Sequence, residues 1–317
     1  MRYKKIIFNT IFVLAGSLIL SVFFYISQPV KTKKNIIIPS GDSKSVISYL
    51  AKKGYDVGII DVWLLKFIGK PLEGRVYIPH TLMNRLEFLK RLVSKSSHYK
   101  IITLIPGETT VIFVKQLAYQ MNKDAKKLLK LYYLMSPYKE AGILADSYNV
   151  PIVYSEKRIM SYLINLTESR YKALATKYFG RYDKDKWQKI LVIASIIQKE
   201  AANKKEMPIV ASVIYNRLKK RMRLQMDGTL NYGKYSHIKV TPQRIKSDNT
   251  SYNTYKHRGL PNRPVCNVSI DAINAALNPA KTDYLYFFRN SRGEHDFFST
   301  YKSHLKEVQK RRKELNR

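Results

Sequence analysis

Hydrophobic and polar positions divide the 317-residue chain into three stretches of different character. Residues 6 to 26, IIFNTIFVLAGSLILSVFFYI, are uncharged, and Asn9, Thr10, Ser17 and Ser21 are the clearly polar members. A run of about 20 apolar residues matches the hydrocarbon thickness of a bilayer. Arg2, Lys4 and Lys5 precede it, and Lys31, Lys33 and Lys34 follow, so flanking charge does not decide its orientation. A short N-terminus before a long domain usually stays inside, and long domains translocate largely regardless of charge. A cleaved signal peptide is the rival reading, but the run exceeds a typical h-region and no clear small-x-small cleavage site follows. The expectation is an uncleaved single-pass anchor over residues 1–30 in the inner (cytoplasmic) membrane. The rest of the chain is then extracytoplasmic, on the periplasmic side where there is one.

A second stretch repeats a short device. Ile38-Pro39-Ser40-Gly41-Asp42-Ser43 precedes SVISYLAKKGY, Ile78-Pro79-His80-Thr81 precedes LMNRLEFLKRL, and Ile105-Pro106-Gly107-Glu108-Thr109-Thr110 precedes VIFVKQLAYQM. Each reads as a strand end, a proline that stops pairing, a polar N-cap and an amphipathic helix. Leu82, Leu86, Leu89 and Leu92 fall at helical spacing. Residues 31–120 are therefore expected to form a small β/α module.

The third stretch, residues 121–317, is mixed. It is helical and lysine-rich up to about residue 190, with breaks near Gly142 and Pro151. Trp187, Ile190, Leu191, Ala194, Ile197 and Ala201 trace one apolar stripe, and Val210, Val213, Ile214 and Leu218 trace a second after Met207-Pro208. Loops and strands follow, then a helix at 269–277, the strand-like DYLYFFRN and EHDFFST, and a charged terminal helix. The fold class expected is α+β. Within the first stripe, Glu200 stands where an apolar residue belongs, three residues after Ile197. A carboxyl shielded from water is harder to ionise, and a raised pKa suits a general acid at neutral pH. A glutamate paired with a buried cation, or one that merely ends its helix, has the same signature.

Composition changes the picture in two ways. The chain has 57 Lys+Arg against 23 Asp+Glu, a net charge of +34, which attracts polyanions such as nucleic acid, anionic lipid or an acidic wall polymer. The basic residues are spread along the chain, and no helix-turn-helix, RNA-recognition or zinc-finger spacing accompanies them, so no nucleic-acid partner is expected. The single cysteine, Cys266, can form neither an internal disulfide nor a cysteine-based zinc site. No metal or phosphate-cradling motif and no Gly-x-Ser-x-Gly elbow is present, so neither metal nor cofactor is expected.

The loops carry polar groups suited to sugars. LQMDG holds Gln225 and Asp227 beside a turn glycine, SYNTY holds Tyr252, Asn253 and Tyr255, and GEHDF holds His295. Rings stack on aromatics and hydroxyls pair with amides in saccharide grooves. Tyr252 and Tyr255 serve a core equally well.

Several of these segments occur in order in one family. The segments IASIIQKEA, PIVASVIYNRLKKRMRLQMDGTLNYG, YNTYKHRGLP and ALNPAKTDYLYF, with His295-x-Phe297, resemble the YceG-like (MltG-type) endolytic murein transglycosylases. The likeness covers about the last 130 residues, and the anchor and β/α module fit the family's layout, which includes a LysM-like subdomain. There are departures. The family usually has a second acid two residues before the catalytic one, where this chain has Gln198. The family's LFPDTY is here Leu144-Ala145-Asp146-Ser147-Tyr148, and its LPPGPI loop is Leu260-Pro261-Asn262-Arg263-Pro264-Val265.

The resemblance implies a lyase that cleaves the β-1,4 bond between N-acetylmuramic acid and N-acetylglucosamine, leaves 1,6-anhydro ends and so terminates glycan elongation. It assigns Glu200 as acid and then base, and makes Gln225, Asp227, Asn253 and His295 substrate-binding or supporting residues. Murein glycan strands are the expected partner, and peptidoglycan synthases are candidate partners. One acid is chemically sufficient, because an inverting or retaining hydrolase needs a second carboxylate whereas a tethered hydroxyl replaces it by proximity. Two alternatives stay open: a lysozyme-like muramidase with Asp227 as second carboxylate, and a non-catalytic murein-binding scaffold using the Ile-Pro module.

Overall fold

A computed structural model describes residues 2–315 apart from Pro79, Ser96 and Ser97. Pro79 of the second Ile-Pro device lies outside the described residues, as do the side chains of Arg2, Lys4 and Lys5. The chain divides into two compact units, residues 1–101 with 149–154, and residues 102–148 with 155–317. Residues 102–120, with the third Ile-Pro device, belong to the second unit.

The first unit opens with helix α1 (Arg2–Ser27). Its segment Ile7–Ser27 is long and apolar enough to cross a membrane, and none of it is buried. Strands β1 (Pro29–Lys31) and β2 (Asn35–Ile38) follow, then helices α2 (Ser43–Lys52) and α3 (Ile59–Ile68), strands β3 (Gly74–Tyr77) and β4 (Leu82–Asn84), helix α4 (Arg85–Val93) and strand β5 (His98–Thr103). β1 pairs antiparallel with β4, with Val30 opposite Met83. A second sheet runs in the order β2-β3-β5-β6, where β6 is Ser147–Pro151. Alternation in β2 turns Ile36 and Ile38 inward and Asn35 and Ile37 outward. They meet Leu50, Leu65, Phe88, Leu89 and Leu92 from the helices.

The first Ile-Pro device behaves as its sequence suggests: Asp42 caps α2 by accepting the Ser45 N–H at 2.8 Å. The second starts its helix later than the leucine spacing indicates. Leu82 lies in β4 opposite Lys31 and is exposed, and Asn84 is the cap, accepting the Glu87 N–H at 2.8 Å. Pairing with β1 holds residues 82–84 extended, so the helix cannot begin at Leu82.

A buried charge cluster ties this unit together. Asp61 Oδ2 accepts from Arg85 Nη1 at 2.9 Å, the Gly58 N–H at 2.8 Å and the Tyr25 hydroxyl at 3.0 Å. Arg85 also donates to the Asp56 carbonyl at 2.8 Å and its carboxylate at 2.7 Å. Both Asp61 and Arg85 are buried.

The second unit contains α5 (Thr110–Met121), α6 (Ala125–Met135), α7 (Glu156–Phe179), α8 (Lys184–Glu200), α9 (Met207–Lys219), α10 (Pro242–Ser247), α11 (Ile270–Leu277), the hairpin β7 (Tyr286–Arg289) and β8 (His295–Phe298), and α12 (Tyr301–Leu315). α8 is its central element. The one-sided stripe read from the sequence is wider in the structure, because every residue from Leu191 to Ile197 is buried. Helices α9 and α11 and a 3-10 turn at Asp227–Leu230 pack around it. Asp183 caps its start by accepting the Asp185 and Lys186 N–H groups. The enclosed turns from Leu191 to Ile197 hold the helix firmly, and Glu200 follows them at its end.

Replacing Arg85 with methionine strands the Asp61 charge in the first unit. The expected loss is about 3–5 kcal/mol, read as faster amide hydrogen exchange in β2 and β3 in the full chain. Unchanged exchange there contradicts the cluster's role.

Candidate active site

Helix α8 ends at Glu200 because Ala201 leaves the helical conformation, its N–H closing on the Ile197 carbonyl at 2.9 Å. The Glu200 side chain is only partly exposed. Its Oε1 accepts the backbone N–H of Gly228 at 2.7 Å. A Cβ at Gly228 would sit 2.7 Å from that oxygen and 2.6 Å from Lys199 Cβ, so the turn approaches the helix this closely only as glycine. Burial pushes the Glu200 carboxyl up, the Gly228 N–H opposes it, the Asp227 charge adds to the rise and Arg217 opposes it, leaving the pKa at about 7.

The turn that carries Gly228 is braced by the segment 253–255. The Gln225 N–H donates to the Thr254 carbonyl at 3.2 Å, the Met226 N–H to Thr254 Oγ1 at 3.1 Å, and Thr229 and Thr254 hydroxyls pair at 3.1 Å. Tyr255 donates its hydroxyl to Asp227 Oδ1 at 2.7 Å. Asn253 is fully buried, and its amide donates to the carbonyls of Ile245 at 2.7 Å and Asp248 at 2.8 Å. Its carbonyl accepts the Tyr255 N–H at 3.2 Å, so Asn253 spends its side chain on the loop itself. Gln225 adopts a left-handed backbone with φ of 49° and exposes its side chain, and Asp227 is exposed as well.

His295 faces a different partner. Its Nδ1 is 2.8 Å from Glu206 Oε2, and its backbone N–H donates to Glu206 Oε1 at 2.9 Å. Burial raises the Glu206 carboxyl, but the His295 bonds and the Ala202 N–H outweigh it and hold the group below the usual carboxylate range. His295 thereby fastens β8 to the loop that follows Glu200. Gln198 is also engaged: its Oε1 accepts the Ser269 N–H at 3.1 Å and hydroxyl at 2.7 Å at the start of α11.

Three groups of this site escape a reading of the sequence. Arg217 is buried on α9 and donates Nε to the Leu285 carbonyl at 2.6 Å and Nη1 to the Leu224 carbonyl. An arginine next to Val213 and Ile214 on an apolar face is the signal that finds it. Glu206 and Glu140 are the others. Glu140 accepts the Thr110 N–H at 2.6 Å and the Thr110 hydroxyl, so it satisfies the start of α5, where Thr109 makes no side-chain cap bond. Burial raises Glu140 to about 7 despite those bonds. Cys266 is inert, because burial pushes its thiol to about 12.

Two cavities of the second unit adjoin the segments that carry these groups, and neither is lined by Glu200 itself. One of about 720 Å³ is lined by Gln198, Ala201, Ala202, Met207, Leu144 and Ser269. The other, about 380 Å³, is lined by Tyr232, Tyr252, Tyr133, Lys139, Glu140 and Arg263. Tyr232 and Tyr252 stack there with centroids 4.2 Å apart, and they continue the two segments that hold Gly228 and Tyr255. Among the described residues no cluster of metal-ligating side chains occurs.

The sequence profile of the YceG-like family matches residues 36–310. The chain belongs to that family. A Bacillus subtilis (strain 168) protein named endolytic murein transglycosylase is 30% identical over 320 residues, which cover 88% of this chain and 85% of that protein. A Streptococcus pneumoniae (serotype 2, strain D39) protein of the same name is 30% identical over 181 residues, 50% of this chain and 33% of that protein. The match thus spans about a third of the pneumococcal relative. The crystal structure of a yceG-like protein from Listeria monocytogenes superposes with a TM-score of 0.56 at 26% identity, covering 86% of this chain and 98% of that one.

Gly228→Ala is expected to push the Glu200 carboxylate from its seat and lower turnover about 10²-fold, with the circular dichroism spectrum kept. Full turnover contradicts the close approach. The raised pKa of Glu200 also has a stability consequence. A carboxyl whose folded pKa of about 7 exceeds its unfolded value near 4.5 favours folding fully below pH 4.5, and that contribution is lost as pH rises through 7. Glu200→Gln is therefore expected to raise the unfolding midpoint at pH 8 and to leave it nearly unchanged at pH 4.

Proposed function

We propose that the chain is a membrane-anchored endolytic murein transglycosylase in which Glu200 acts first as acid and then as base. The observation that carries the reading is the Glu200 carboxyl, desolvated to a pKa of about 7 and held by the Gly228 N–H. At neutral pH a large fraction is protonated, as an acid requires. The protonated carboxyl gives its proton to the glycosidic oxygen as the C1–O bond breaks. The resulting carboxylate takes the proton of the muramic C6 hydroxyl, whose oxygen bonds to C1 and closes the 1,6-anhydro ring. The proton balance is restored and no water is consumed.

The names of the Bacillus and pneumococcal relatives support the general activity. The Tyr232–Tyr252 stack, on the segments that continue from Gly228 and Tyr255, offers ring faces for a glycan. Gln225 and Asp227, exposed on the turn, are assigned to glycan contact. Asn253 and His295 are assigned to supporting the acid, since their polar atoms hold the two loops that frame it. Helix α1 is assigned as the anchor, with the second unit extracytoplasmic where murein lies, and residues 31–101 as the LysM-like part. Murein glycan strands are the partner, and synthases that extend them are candidates for association.

The muramidase alternative has a specific feature in its favour, the Asp227 carboxylate in the turn whose Gly228 N–H holds Glu200. Product chemistry separates the two. Full-length protein in detergent, given murein glycans, is expected to yield anhydro ends by mass spectrometry. Reducing ends identify the hydrolase, and intact glycans identify a scaffold. Glu200→Gln is expected to lose about 10²–10⁴-fold in rate with the fold intact. Wild-type kcat/KM is expected to fall about tenfold per unit above pH 7, as the acid loses its proton. A profile flat from pH 6 to 9 contradicts Glu200 as the acid.

A further inference from the structure

Helix α3 carries an apolar stripe that the described residues of the first unit leave largely exposed. Ile59, Trp63 and Phe67 recur every fourth residue and share one face with Ile60, at exposures of 63%, 58%, 88% and 50%. The opposite face buries Asp61 and Leu65. Large side chains gathered in this way mark a contact surface, not ordinary surface scatter.

Three observations say what meets it. The first is position. The Tyr25 hydroxyl, in the last turn of α1, donates to Asp61 of α3 at 3.0 Å, and the Arg85 N–H donates to the Gln28 carbonyl at 3.0 Å. The Arg85 guanidinium lies 4.4 Å from the Tyr25 ring centroid. α3 is thus one side chain away from the end of the apolar segment Ile7–Ser27. A helix fixed at that level sits in the headgroup layer, a few ångströms thick, next to the hydrocarbon. The second is composition: tryptophan and phenylalanine beside lysine is the pairing that interfacial helices use. Lys66 Nζ lies 3.8 Å from the Trp63 ring centroid. The third is charge. Lys31, Lys33 and Lys34 follow the apolar segment directly, and Lys66 and Lys70 lie on or beside α3, so the neighbourhood attracts anionic headgroups.

We propose that α3 lies in the membrane interface with its Ile59, Ile60, Trp63 and Phe67 face against acidic phospholipid. The proposal rests on the reading of α1 as an anchor. It gives the first unit a second attachment, which limits its swing about the end of α1.

The chain's two tryptophans make the test direct, because Trp187 is fully buried in the second unit. Full-length protein is reconstituted into vesicles of phosphatidylcholine and phosphatidylglycerol whose acyl chains carry bromine near the headgroup. Flotation is measured first, then tryptophan emission. The expected result is that protein floats, that brominated lipid removes part of the emission, and that Trp63→Phe abolishes this loss. Omitting phosphatidylglycerol is expected to weaken the quenching. Protein that does not float overturns both the anchor and this proposal. Floating protein with equal emission in plain and brominated lipid leaves the anchor standing and overturns the α3 contact, freeing the face for a protein partner. Quenching that persists in Trp63→Phe also overturns it, and quenching indifferent to phosphatidylglycerol overturns the acidic-lipid part.

Discussion

The site depends on one close approach, the Gly228 N–H against the Glu200 carboxyl at 2.7 Å. Two conditions permit it. α8 must be rigid at its end, which its enclosure from Leu191 to Ile197 provides. The turn must have no side chain at that point, which glycine provides. The bond and the burial act in opposite directions on the same carboxyl: desolvation favours the protonated form, and the N–H favours the ionised one. A group poised between them near neutrality can release a proton and take one back.

Much of the surrounding polarity serves that approach indirectly. Thr254 holds the Gly228 turn through its carbonyl and hydroxyl, and Asn253 holds the Thr254 segment through two backbone carbonyls. Glu206 and His295 fasten the loop leaving Glu200 to the hairpin. Buried amides and ion pairs of this kind are costly unless fully partnered, and these are partnered. The first unit has a charge cluster of its own, where Arg85 and Asp61 bind each other and Tyr25, with Asp61 Oδ1 and Arg85 Nε left unpartnered.

Polar residues show where the sequence is legible and where it is not. Gln225, Asp227, Asn253 and His295 look alike as loop polar groups. The structure separates them: two are exposed on the turn, one is buried against backbone carbonyls, and one is paired with a glutamate 89 residues away in the chain. Sequence shows that a side chain can hydrogen-bond, but not whether a partner inside the protein has already taken that capacity. The leucines from Leu82 onward teach the same lesson for the fold. Their spacing is helical, yet β1 recruits Leu82 into a strand through Lys31, 51 residues upstream.

Local physics alone determined the apolar N-terminal segment, the helices around Trp187 and Val210, the hairpin that carries His295, and the oddness of a carboxylate at the end of a core helix. These depend on periodicity and composition over a few turns. Tertiary structure decided what the carboxylate would be. Its pKa comes from burial, from a backbone N–H 28 residues away and from the opposing charges of Asp227 and Arg217. Those are through-space terms, and only the folded packing sets the distances on which they depend.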